Sequence, residues 1–164
     1  MINLNDLPSN IEIKKRIRFS RKLFKTGDAY KLSKVCAVIN RKQPQFTAVA
    51  LSWQNLGLTV EQMEDLFETF LVLFHALSVG CKVKFHTITM SAIVTNIEAF
   101  AQFSKYYEME ADLGEADPNT IKFIENKVLL KHAALSLQSL EVLPPKEVIG
   151  SYFGLIKALD EQLK

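Results

Sequence analysis

Apolar residues in this chain return at the spacing of an α-helix, and residues 44–79 show that period most sharply. Phe46, Val49, Ala50 and Trp53 stand at i, i+3, i+4 and i+7, so a helix places all four on one face. Pro44 falls in a first turn, where its missing N–H would be unpaired in any case. Gly57 stops that helix, because a residue without Cβ takes the left-handed conformation at no steric cost. Thr59 restarts the chain with Gln62 three residues on, the pattern of a capping box. Met63, Leu66, Phe67 and Phe70 carry the apolar stripe onward. Residues Phe70 to Phe74 are apolar without a break, so the second half of a helix over Val60–Val79 is apolar all round. Such a helix sits at the centre of a bundle or in an oligomer contact.

The same period and its punctuation organise the remainder. Ile11–Lys25 reads as a basic helix with Ile13, Ile17 and Phe24 inward, stopped at Thr26-Gly27-Asp28. Asp28 then caps a second helix to Arg41 that carries Leu32, Val35, Cys36 and Ile39. Cys81–Met90 alternates and is rich in β-branched residues, which fits a short strand. Ile93, Ile97, Phe100 and Tyr107 define a long helix ending near Tyr107. Glu108–Asp117 has five acids in ten residues and reads as a solvated loop. Asp117-Pro118 predicts a helix start, with the helix reaching about Leu140 and burying Ile121, Ile124, Val128 and Leu135. Leu143-Pro144-Pro145 precedes a last helix, where Gly150 and Gly154, one turn apart, would admit a neighbouring backbone closely. The expectation is an all-α, single-domain bundle of five to seven helices over residues 1–164, with room for one short strand near 82–90 and a basic arm or helix at about 10–26. A chain of 164 residues can bury roughly 70% of its unfolded surface, enough for a core without staples.

Charge is unevenly spread. Residues 1–45 hold 11 Lys and Arg against 3 acids, and residues 46–164 hold 9 against 15, within a net charge of +2. Lys14, Lys15, Arg16, Arg18, Arg21, Lys22 and Lys25 crowd twelve residues, with Phe19 and Phe24 among them. This set is the candidate surface for a polyanion or an acidic partner, unless the acidic body of the chain itself answers it. Glu61, Glu64, Asp65 and Glu68 form a candidate acidic partner-binding face. The Leu51–Leu66 segment has the punctuation of a helix-turn-helix, but those four carboxylates would face the phosphates and repel them. Trp53 also stands where that motif needs a small residue.

No assembled reaction centre is spelled out. Glu68 precedes His75, and Glu125 precedes His132, by seven residues, two turns or about 10 Å, rather than the i, i+3 of a di-metal bundle. No Cys-x-x-Cys, His-Glu-x-x-His, Gly-x-Ser-x-Gly or phosphate-cradling loop occurs. Asp112, Glu115 and Asp117 lack the alternation of a calcium loop. The expectation is therefore no metal and no cofactor. The opening MINLNDLPSN lacks the form of a signal peptide, and the apolar stretch at Phe67–Val79 is too short and too polar to span a membrane. Cys36 and Cys81 read as buried thiols in a reducing cytoplasmic setting, although their pairing is left open. The leading expectation is a non-enzymatic helical interaction module, an adaptor or assembly subunit that binds a protein partner or a second copy of itself. The alternatives are a nucleic-acid-binding accessory protein using the basic segment and a helical enzyme with dispersed Glu68, His75, Glu98 and His132.

Overall fold

The computed structural model describes residues 7–113 and 123–164, the side chains of 104–113 excepted. Its described residues form seven α-helices and one π-helical turn, an all-α fold. Ser9 opens α1 (Asn10–Thr26) by accepting the Glu12 N–H at 3.2 Å. Asp28 opens α2 (Ala29–Lys42) by accepting the Tyr30 N–H at 2.7 Å. Each such cap is worth about 1 kcal/mol. Pro44 begins α3 (Pro44–Asn55). Beyond it Gly57 has φ 94°, the left-handed corner the sequence predicts. The Thr59 hydroxyl accepts the Gln62 N–H while the Gln62 amide oxygen accepts the Thr59 N–H, which starts α4 (Val60–His75). The helix then widens into a π-helical turn over Ala76–Gly80. After α5 (Met90–Leu113), Asn126 caps α6 (Lys127–Gln138), and α7 (Lys146–Glu161) completes the bundle.

The second half of α4 is central, as its composition requires: every residue from Thr69 to Leu77 is buried. It meets α1, α3, α6 and α7. The Phe46 ring stands edge-on to Phe70, with centroids 4.3 Å apart. Fully buried Trp53 packs near Tyr152 and donates its indole N–H to Ser151 Oγ at 2.7 Å, so its one polar atom is answered. Burial of large aromatic area with the N–H satisfied makes this a major stabilising contact. A Cβ on Gly154 would stand 3.0 Å from Ile97 Cγ1 and 3.5 Å from its backbone nitrogen. The small residues of α7 thus let α5 lie against it, and these two helices share the most extensive pairing in the fold.

Three expectations need correction. Residues 82–89 are not a strand, and there is none among the described residues. Their backbone is answered by a side chain instead of a partner strand: the Gln43 amide, 1% exposed, donates to His86 O at 2.7 Å and accepts the Ile88 N–H at 2.8 Å. Val83 and Phe85 turn inward and Ile88 is buried, so the alternation marks an extended segment clasped by Gln43. The helix ending near Tyr107 continues to Leu113, so part of the expected acidic loop is helical. The helix expected from Pro118 to Leu140 is not continuous, because α6 begins only at Lys127. There Asp160, 2% exposed, accepts the backbone N–H of Glu125 and of Asn126 at 2.9 Å each, holding the chain out of helix just before the Asn126 cap. The Asp117-Pro118 start and the loop acids Glu115 and Asp117 lie outside the described residues. Of the arm or helix expected at about 10–26 the described residues form the helix: α1 buries Ile13, Ile17 and Ser20 and packs on the π-helical turn, α4 and α6.

Candidate functional site

The seven cations that stand together in sequence are divided by the period of α1 into three groups. With Ile13, Ile17 and Ser20 buried, Lys14, Arg18, Arg21 and Lys25 run at i, i+4, i+7 and i+11 along one flank. Arg16 lies on the other flank, its stem against Gly80, with a buried Nε that has no hydrogen-bond partner. Lys15 and Lys22 point outward, near Ile11, 83% exposed, and Phe19, 65% exposed. The outer surface of α1 is therefore a mixed cationic and apolar stripe.

The first flank meets α6. Arg21 Nη2 donates to His132 Nδ1 at 3.2 Å. A guanidinium has no acceptor, so the ring accepts there and is neutral, with its proton on Nε2. Burial holds the His132 pKa below the usual histidine value, and the charges of Arg21, Lys131, Lys14 and Arg18 push it the same way. Below this junction Arg21 and Lys25 form one wall of a cleft of about 200 Å³. Asp65 and Glu68 of α4 form the opposite wall, with Thr69, Ser136 and Ser139 also lining it. Among the described residues no ion pair closes to 4 Å across it, whereas Lys157–Glu161 and Lys164–Glu125 do pair elsewhere. The acidic face is thus split, Asp65 and Glu68 on the cleft, Glu61 and Glu64 exposed beyond it.

The dispersed acid and base residues do not converge. His75 is buried and shares a 2.8 Å hydrogen bond with Ser20 Oγ. Ser20 is 1% exposed, so this serine–histidine pair offers no substrate a route to Oγ and reads as a satisfied polar contact in the core. Burial lowers the His75 pKa. Glu68 lines the cleft, His132 serves Arg21, and Glu98 is exposed on α5, whose main neighbour is α7. Among the described residues no three His, Cys, Asp or Glu stand together as a metal would need, and no helix is long and apolar enough to cross a membrane. Cys36 and Cys81 are free thiols, half-buried rather than buried, and burial raises both pKa values.

The sequence did not point to Gln43, Asp160, or the pairing of Arg21 with His132. Asp160 carried a signal: it falls one turn after Ile156 on the apolar stripe of α7, where an acid needs buried partners. Arg21 and His132 are 111 residues apart, and no local pattern joins them. Comparison with known proteins leaves the site to speak for itself, since the chain matches no protein family, no curated protein and no solved structure.

Proposed function

We propose that this protein is a binding module whose α1 presents the docking surface for an acidic, partly apolar patch on a partner protein. The carrying observation is the outer stripe of α1, where Ile11 and Phe19 stay in water beside Lys15 and Lys22 although the helix has a complete buried face of its own. Exposed apolar side chains interleaved with lysines suit a partner that offers apolar contact ringed by carboxylates. A phosphate backbone would use the lysines and leave Ile11 unrewarded. The acidic wall of α4 beside this helix gives the surface a sign boundary, which would orient an incoming partner.

The test places a photo-crosslinking residue at position 19 of the full chain in its native host and identifies what it captures. The captured protein, once purified, should bind wild type and lose at least tenfold in affinity with either Lys15→Glu or Phe19→Ser, each variant retaining the wild-type melting temperature. Crosslinks that vanish on nuclease treatment would sink this reading in favour of nucleic acid. Crosslinks to a second copy of the chain would turn it into self-association.

A further inference from the structure

The flank of α1 that faces α6 differs from the outer stripe, because its cations converge. Lys14, Arg18 and Arg21 stand in file on α1, and α6 adds Lys131 beside them. All four act on one imidazole, that of His132, which Arg21 holds by a direct hydrogen bond. Like charges at i, i+4 repel one another along a helix. The carboxylates of Asp65 and Glu68, on α4 across the cleft, close no ion pair with Arg21. A fold gains nothing from such a concentration on its own. It suits a compact anion of high charge, since guanidinium groups match phosphate oxygens two at a time. A carboxylate would answer one of the four cations, whereas a phosphate monoester brings about −1.5 to −2 charges and three acceptor oxygens to a single point.

We propose that the junction of α1 and α6 binds a phosphate monoester carried on a side chain of the partner protein, with Arg18 and Arg21 gripping its oxygens and Lys14 and Lys131 beside them. This rests on the reading that α1 is the face a partner meets, and it names the modification that partner bears. Burial and, after it, these cations hold the His132 pKa down; binding neutralises the cations and leaves the burial, so the ring takes up a proton somewhat more readily in the complex. The groups facing the ring are Lys14, Arg18 and Arg21 from α1 and its neighbour Lys131 on α6, with Asp65 and Glu68 of α4 across the cleft.

The experiment titrates the full chain, with its histidines labelled for NMR, with a short acidic peptide carrying one phosphoserine, the same peptide with serine, and inorganic phosphate. The phosphopeptide should bind at least tenfold more tightly than the serine peptide and raise the His132 titration midpoint while His75 stays in place. Arg21→Gln should abolish that preference, and Lys31→Gln on the exposed surface of α2 should keep it, both variants melting as wild type does. Equal affinity for the two peptides, or an unmoved His132, would overturn the inference. So would inorganic phosphate binding as tightly as the phosphopeptide, which would mark a free-phosphate site, or a single-stranded oligonucleotide displacing the peptide with a steep salt dependence. The two proposals fail separately. A partner captured at position 19 whose affinity survives phosphatase treatment removes this one alone; a phosphopeptide that binds while Lys15→Glu and Phe19→Ser cost the captured partner nothing removes the docking surface alone.

Discussion

The seam between α3 and α7 and the seam between α1 and α6 are both helix contacts in one small bundle, yet they are built on opposite terms. In the first, Trp53 and Tyr152 are fully buried and their polar atoms are spent inside the protein, the indole on Ser151 and the phenol on the Ala133 carbonyl at 3.0 Å. In the second, Arg21 and His132 are half-buried and meet at 3.2 Å, with further cations crowding them. The first seam holds the fold together. The second brings like charges together with no ion pair to Arg21 among the described residues, and a ligand can relieve such repulsion.

The comparison can be broken most forcefully at Trp53. Trp53→Ala removes a fully enclosed ring and the indole donor to Ser151, and a loss of about 3–5 kcal/mol in denaturant unfolding is expected; Arg21→Gln should change the same measurement by less than about 1 kcal/mol. Equal losses would erase the distinction between the seams. Asp160→Ala should follow at about 1–3 kcal/mol, because two part-buried backbone donors lose their acceptor. Its signature is faster hydrogen exchange at the Glu125 and Asn126 amides.

A pH series sharpens the contrast further. His75 and His132 both have folded pKa values below the unfolded one near 6.5, so the unfolded chain binds more protons as pH falls through that value. Stability is therefore complete above about pH 6.5, falls below it, and goes on falling until the folded pKa values are passed. His132→Gln should flatten part of that decline in urea unfolding midpoints between pH 7.5 and 5, and saturating phosphoserine peptide should flatten it in wild type by the same route. The smallest effect is expected at Lys82, which holds φ 58°. Lys82→Gly should relieve that left-handed conformation and stabilise by about 0.5–1 kcal/mol, leaving both seams and all binding untouched.

Helix starts at Asp28 and Thr59, the left-handed Gly57, the central α4 and the close approach at Gly154 were all legible because each is decided within a few residues of chain. The 82–89 segment was misread because alternation reports only that side chains go in and out; it is silent on what answers the backbone. The helix expected to run unbroken to Leu140 shows a related limit, since the turn held by Asp160 at Glu125 and Asn126 is imposed from 35 and 34 residues away. For the site, sequence showed how many cations there were, and the helical period showed how they divide. Which flank is met by α6, and hence where charge converges, needed the tertiary fold.

The Gln43 clasp ties the corner between α2 and α3 to a stretch more than forty residues downstream. The connector between α4 and α5 therefore has no shape of its own to nucleate. It acquires one only after the hairpin of early helices has docked, so the Ile88 amide should be among the last to become protected as the chain folds, a reporter of assembly rather than of local structure.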